Sequence, residues 1–443
     1  MFLQDETIVA AATGAAVAPI AIIRISGKKS LEIFRNIFKT KKRISSHRVF
    51  HGLIINPCNH KTIDDVLAWY LAEPRSFTGE EMVEISCHGS PQIVNEIIEV
   101  IIGQGGRMAE RGEFTKRAFL NGKIDLTQAE AIIDLIKAKT ENSADSARKQ
   151  IAGKLRKAIE EIREEAKQVA ARMEAAIDFP DDIEETEEKR EIERCYKKIK
   201  EIKATAEFGR IAREGARLAI IGRPNVGKSS LLNKLLKEDR AIVADLPGTT
   251  RDTIEEQLNI RGYLINIIDT AGIHDHEVSM VERKGIERSR SAANEADIIL
   301  FVCEATDPFN AEDMLILNSL EKSKTIKVVN KTDLKKHRQR EGEVAISVIN
   351  DKELTVLEDR IVCLIEKKAA SSEYGGVNKR QKERLIIAEK ALERCITAIN
   401  SREPADIVSI DLKEGIIAIG EISGYEATEE VINEIFDRFC IGK

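Results

Sequence analysis

Gly222-Arg-Pro-Asn-Val-Gly-Lys-Ser229 decides the reading of this chain. The segment fits GxxxxGK[ST], follows the apolar run Leu218-Ala-Ile-Ile221 and precedes the helix-forming stretch Ser230–Leu236. A loop of this kind turns its backbone N–H groups, and the N-terminus of the helix behind it, toward phosphate oxygens. Asn225, Val226, Gly227, Lys228, Ser229 and Ser230 are therefore the expected phosphate contacts. Lys228 is expected on the β- and γ-phosphates, and the Ser229 hydroxyl on a Mg²⁺ ion.

The downstream chain supplies the companions such a loop needs. Asp269-Thr270-Ala271-Gly272 closes the next apolar strand, where a carboxylate can hold the metal through water and a glycine N–H can meet the γ-phosphate. Between them, Gly248-Thr249-Thr250-Arg-Asp252 has the position of a switch loop, with Thr250 as the second hydroxyl on Mg²⁺. Asn330-Lys331-Thr332-Asp333 ends a later strand, and its Asp333 carboxylate suits the N1–H and N2–H₂ edge of guanine. Adenine lacks that edge, and a buried carboxylate left unpaired costs about 1–3 kcal/mol or more. Ala345-Ile-Ser347 is read as the last base-contacting loop. The expected ligand is GTP, and the expected reaction its hydrolysis. Small GTPases place a water-orienting Gln directly after the Asp-Thr-Ala-Gly element; here Ile273 stands there. Charge and water orientation must come from another group.

Around this site, residues 216–365 alternate strands (Leu218–Ile221, Leu264–Asp269, Ile298–Val302, Ile326–Asn330) with helices, which predicts a parallel sheet with crossover helices. Residues 127–177 read as continuous helix, broken at Pro180, and a charged helix then runs to about 207. Helices are expected again over 378–400, 405–420 and 428–439, so one bundle with an inserted α/β unit is possible. Residues 1–120 read as mixed α/β, with strands at Ile20–Ser26, Asp65–Leu71 and Met82–Ser86 and helices at Leu31–Phe38 and Gln92–Ile102.

The 443 residues suggest two to four domains. The formal charge, 69 − 75 = −6, means that nucleic acid could be held only by a local basic patch or a basic partner. Lys41-Lys42-Arg43 with Arg48 is such a cluster, although a solvated loop is its simpler reading. The dispersed cysteines contain no Cys-x-x-Cys pair, which argues for reduced thiols in a cytoplasmic, soluble protein. Neither a signal-peptide layout nor an apolar run of about 18 residues is present.

The wording Gly-Arg-Pro-Asn-Val-Gly-Lys-Ser-Ser-Leu-Leu-Asn233 resembles the bacterial GTPases related to translation factors, Era and Der among them. Pro74-Arg-Ser-Phe-Thr-Gly-Glu80, Cys87-His-Gly89, the stretch from Gly112-Glu-Phe-Thr-Lys-Arg to Asp125-Leu-Thr-Gln-Ala-Glu-Ala131, and the terminal Phe439-Cys-Ile-Gly-Lys443 are similar to the MnmE (TrmE) family of tRNA-modification GTPases. That resemblance implies a multidomain α/β and all-α fold. An N-terminal tetrahydrofolate-binding and dimerisation domain (1–120) precedes a helical domain in two segments (121–213 and 371–443), with a Ras-like P-loop G domain (214–370) inserted. It implies a cytoplasmic homodimer that joins the FAD-containing MnmG in a heterotetramer, with tRNA as substrate and neither DNA nor membrane involved. Together the two install an aminomethyl or carboxymethylaminomethyl group on C5 of the wobble uridine, using 5-formyl- or 5,10-methylene-tetrahydrofolate. FAD belongs to the partner, in keeping with the lack of a GxGxxG fingerprint here.

By the same resemblance, K⁺ sits on Asn225, Ala244, Leu246 and Thr249, in a nucleotide loop that also includes Asp245, Pro247 and Gly248. The ion supplies the charge an arginine finger would. Glu282 orients the attacking water, Arg24, Glu84, Lys123 and Lys443 hold the folate, and Cys440 serves the RNA chemistry. The packing alternative for Cys440, docking its helix, stays open. The chain departs from the family at Ala12–Pro19, which has few glycines, at Arg111, at Gly424–Thr428 and at Ile273-His274. The rival reading is a ribosome-assembly GTPase of the Era or Der kind, without RNA chemistry; a folate-binding scaffold gated by GTP is a third.

Overall fold

The computed structural model describes residues 6–14, 16–178, 185–237, 256–268, 292–335, 337, 340–368 and 373–442. The chain forms two compact units, Met1–Ile133 with Ile419–Lys443, and Asp134–Ala418.

The first unit is built on β1 (Ile8–Ala11), β2 (Ala18–Ser26), β3 (Phe38–Lys39), β4 (Val49–Ile55), β5 (Thr62–Leu71), β6 (Met82–Gly89) and β7 (Arg107–Met108), in the order β3-β4-β5-β6-β2-β1-β7. All neighbours are antiparallel except β1 and β7. The alternation in β2 turns Ala21, Ile23 and Ile25 into the core and leaves Ile22 and Arg24 on the other face. Helices Ser30–Ile37 and Pro91–Gly103 cover the core face with Ile33, Phe34, Ile37, Ile97 and Ile101. A second apolar cluster joins Phe119, Leu126 and Ala129 to Ile432, Ile435, Phe436 and Phe439 of the C-terminal helix Glu429–Asp437 and its tail.

The second unit holds β8 (Ala216–Ile221), β9 (Glu256–Ile260), β10 (Tyr263–Ile268), β11 (Ile298–Glu304), β12 (Thr325–Asn330) and β13 (Glu343–Ala345), in the order β13-β12-β11-β8-β10-β9. The sheet is parallel as expected except at its edge, where β9 runs antiparallel to β10 through a turn at Arg261-Gly262. Both faces are covered, by Leu231, Leu232, Leu357 and Ile361 on one side and by Ala292, Ala293, Ala296 and Leu317 on the other. That double burial explains why these strands read as unbroken apolar runs.

The stretch expected as one helix over 127–177 is three: Leu126–Lys137, Glu141–Ile151 and Lys154–Asp178. Thr140 caps the second by accepting from the Ser143 N–H, and Gly153, at φ +78°, separates the third. Helix Lys379–Asn400, which follows the α/β part, packs along helix Glu185–Ala204, which precedes it, and Lys203 pairs with Glu389. The α/β part is thus inserted between segments that pack together. At the seam, Ser146 and Gln150 donate to the carbonyls of Gly375 and Gly376. A Cβ on Gly376 would meet the backbone of Gly209 at 2.6 Å, so only glycine passes there.

Candidate functional site

From β8 the chain builds β9 and β10 on one side and β11 to β13 on the other, so the carboxyl end of β8 is a topological switch point. The loop Gly222–Gly227 lies there, with helix Lys228–Lys237 behind it. A Cβ on Gly222 would stand 2.1 Å from the Val302 carbonyl oxygen, and one on Gly227 2.3 Å from Asn330 Nδ2. The two glycines let the loop lie flat against the ends of β11 and β12. Asn225 holds φ +63° with its side chain exposed. Lys228 Nζ donates to the carbonyl oxygens of Gly222 and Arg223, both at 2.8 Å, and burial pushes its pKa down. Arg223 Nε reaches Asp313 Oδ1 at 2.8 Å, tying the loop to helix Ala311–Asn318.

The base-reading element meets this loop directly. Asn330 Nδ2 donates to the Val226 carbonyl at 2.9 Å, while Asn330 Oδ1 is buried without a partner among the described residues. Lys331 Nζ bridges the Asn225 carbonyl at 2.8 Å and Glu304 at 3.1 Å. Asp333 Oδ1 accepts from Ser347 Oγ at 2.7 Å, which sets the Ala345–Ser347 loop beside Asp333. The sequence reading missed Glu353. Its carboxylate accepts from the Ser347 N–H, from Thr332 Oγ1 at 3.3 Å and from Asn350 Nδ2 at 3.1 Å, joining the two loops on either side of Asp333. The available signal was Asn350-x-x-Glu353 ahead of helix Asp351–Lys368, the spacing of a capping box.

Asn225, Val226, Gly227, Lys228, Ser229, Ser230, Asn330, Lys331 and Asp333 therefore gather at one end of one sheet. Ala244, Asp245, Leu246, Pro247, Gly248, Thr249, Thr250, Asp269, Thr270, Ala271, Gly272, Glu282 and Lys443 lie outside the described residues.

The first unit holds the other candidates. Arg24 and Glu84 are cross-strand partners on β2 and β6, with Nε to Oε1 at 2.6 Å. Their row continues through Trp69 to Val49 on one side and to Ala10 on the other. The Phe77 ring lies 5.5 Å from the Arg24 guanidinium. Lys123 Nζ donates to the Pro74 carbonyl at 3.0 Å, on the loop that also carries Phe77. Arg117 holds that loop through Glu80 at 3.1 Å and pairs with Glu113, which also binds Arg107. Burial by itself would raise the Glu113 pKa, but these two arginines and the Glu110 N–H outweigh it and bring it to about 2. The tail lies beside this row. Ile441 bridges Arg111, and a Cβ on Gly442 would stand 1.9 Å from the carbonyl oxygen of Ala11, next to Ala10. Cys440 is exposed, while Phe436 and Phe439 are buried. Among the described residues, no group of His, Cys, Asp and Glu is placed to hold a metal, and no helix is long and apolar enough to cross a membrane.

Residues 126–440 match the family described as the MnmE helical domain, and residues 7–123 match that described as the GTP-binding protein TrmE N-terminus. The tRNA modification GTPase MnmE of Thermoanaerobacter sp. (strain X514) is 43% identical over 458 residues, covering 99% of each chain. The protein of that name from Alkaliphilus metalliredigens (strain QYMF) is 43% identical over 466 residues, covering 100% of each. Among solved structures, the G domain of the T. maritima FeoB iron transporter is 28% identical and covers 34% of this chain and 98% of its own, with a TM-score of 0.26.

Proposed function

The chain belongs to the MnmE family of tRNA modification GTPases, and from that premise we propose how its residues divide the work. It hydrolyses GTP and acts in tRNA modification. The observation that carries the nucleotide assignment is the contact of Asn330 and Lys331 with the phosphate loop, which sets the base reader and the phosphate cradle at a fixed distance. Asp333, steadied by Ser347, accepts the guanine N1–H and N2–H₂. The unpaired Asn330 Oδ1 remains as an acceptor for the bound nucleotide or a water beside it. Lys228 now faces two carbonyl dipoles, and a phosphate's full charge attracts its ammonium more strongly than they do.

The finer roles follow the family. Ser229 and Thr250 would hold Mg²⁺, which would supply positive charge against that of the nucleotide's phosphates. Asn225, Ala244, Leu246 and Thr249 would hold K⁺; the exposed Asn225 side chain on its left-handed backbone suits an oxygen donor facing out of the loop. Glu282 would orient water, since Ile273 has no group to do so. Arg24, Glu84, Lys123 and Lys443 would bind a 5-formyl- or 5,10-methylene-tetrahydrofolate; the folate supplies the one-carbon unit. The Arg24–Glu84 pair offers a donor and an acceptor side by side, with the Phe77 ring against it. The product is an aminomethyl or carboxymethylaminomethyl group on C5 of the wobble uridine. The working form is a cytoplasmic homodimer, in a heterotetramer with the FAD protein MnmG. Its domains are 1–120, 121–213 with 371–443, and 214–370.

Turnover of GTP by the purified chain in KCl and in NaCl at equal ionic strength tests the cation role. The expected result is much faster turnover in K⁺; equal rates remove K⁺ from the account and leave the GTPase assignment standing.

A further inference from the structure

The segment Lys39-Thr-Lys-Lys-Arg-Ile-Ser-Ser-His-Arg48 carries five lysines and arginines and no acidic residue, in a chain whose formal charge is −6. It is the connection between β3 and β4, and it is anchored. Thr40 Oγ1 donates to the His51 carbonyl at 3.1 Å. The His47 N–H donates to the Tyr70 carbonyl at 2.8 Å, and the Ala72 N–H donates to Ser46 Oγ at 2.9 Å. The His47 ring nitrogen Nε2 bonds to the Arg75 carbonyl at 2.9 Å, so Arg75 is drawn to the same place. Lys41, Lys42, Arg43, Arg48 and Arg75 are all exposed, and none makes an ion pair within 4.0 Å among the described residues. Arg107, Arg117, Arg210, Arg223 and Arg394, by contrast, each meet a carboxylate.

Like charges held together without partners repel one another, and a polyanion removes that cost while releasing its own counterions. The position of the loop says which polyanion. Arg48 is followed by Val49, which stands in the same cross-strand row as Trp69, Glu84 and Arg24. At about 4.8 Å per strand, the Arg24–Glu84 pair lies about 10–15 Å from Val49. Half-buried Trp69 stands between them. A phosphate backbone on the loop would therefore carry a base to the Arg24–Glu84 pair, past an indole on which an unstacked base can lie.

We propose that Lys41, Lys42, Arg43, Arg48 and Arg75 form a contact surface for tRNA phosphates that delivers the substrate base to the Arg24–Glu84 face. This rests on the tRNA-modification reading above. Its test is binding of in vitro transcribed tRNA to the full-length protein across a salt series. K41E/K42E/R43E should weaken binding at least tenfold and lower the slope of log affinity against log salt by about 2, given about 0.7–0.9 per lost phosphate contact. R48A/R75A should weaken binding less and in the same direction; circular-dichroism melting curves matching that of the unsubstituted chain report that both variants fold, and GTP turnover should be unchanged in both. Unchanged affinity and slope in both variants overturns the surface. So does binding of the unsubstituted protein to phosphatidylserine vesicles without binding to tRNA. In either case, wobble-uridine modification restored by the unsubstituted gene in a deletion strain would show that the functional reading survives the loss of this surface.

Discussion

At the scale of single residues, the proposed function assigns guanine selectivity to one oriented carboxylate, Asp333, which accepts from Ser347 Oγ. Asp333→Asn reverses the hydrogen-bonding sense at that point, so GTP affinity should fall and xanthosine triphosphate should bind in its place. Unchanged GTP affinity by calorimetry would remove Asp333 from base recognition. Glu353 makes a subtler prediction, because it touches Ser347 and Thr332 and not Asp333 itself. Glu353→Ala should raise the Kd for GTP roughly tenfold, at about 1.4 kcal/mol per decade, with kcat at saturation little changed and Glu353→Gln intermediate. A kcat loss with unchanged Kd contradicts a positioning role. In the first unit, Glu113 titrates far below its ordinary value of 4.5, at about 2. A depressed carboxylate stabilises the fold above its unfolded pKa and loses that contribution as pH falls through the folded one. The gap is worth about 3 kcal/mol at neutral pH, so the first unit should lose stability between about pH 4.5 and 2. Glu113→Gln should flatten that part of an acid-unfolding curve followed by circular dichroism; an unaltered curve contradicts the assignment.

At the scale of elements, the sequence was legible where pattern and punctuation agreed. Gly222–Ser229 had a strand before it and a helix after it, and Asn330–Asp333 ended a strand; both elements stand where they were expected. The β1 strand was missed because Ile8–Ala11 is short and buried without alternation, and β9 because its turn, Arg261-Gly262, lacks the usual Asn or Asp. The breaks between helices at 138–140 and 152–153 were hidden by helix-forming residues on both sides. The tail was only half legible. Its phenylalanines pack as an amphipathic helix requires, but the docking of Gly442 against Ala11 depends on a close approach that no local pattern signals. With Cys440 exposed, its packing role weakens. Cys440→Ser should fold and hydrolyse GTP normally and yet leave tRNA unmodified. Full modification by this variant would return Cys440 to a structural part.

At the scale of the whole molecule, similarity along 99% or more of the chain to proteins called tRNA modification GTPase MnmE sets aside the ribosome-assembly alternative. Single-sequence reasoning reached the GTPase from chemistry, because phosphate and guanine recognition leave dense local motifs. It could not reach the RNA chemistry that way. Arg24 and Glu84 are 60 positions apart, and only the antiparallel register of β2 and β6 makes them neighbours. The whole-molecule claim is that GTP hydrolysis in the second unit serves modification of a tRNA base. The most direct measurement is nucleoside mass spectrometry of tRNA from a strain lacking the gene, complemented with the unsubstituted chain or with Lys228→Ala. The account predicts restored C5-modified wobble uridine with the first and unmodified uridine with the second. Modification equal in both strains, or restored in neither, contradicts it.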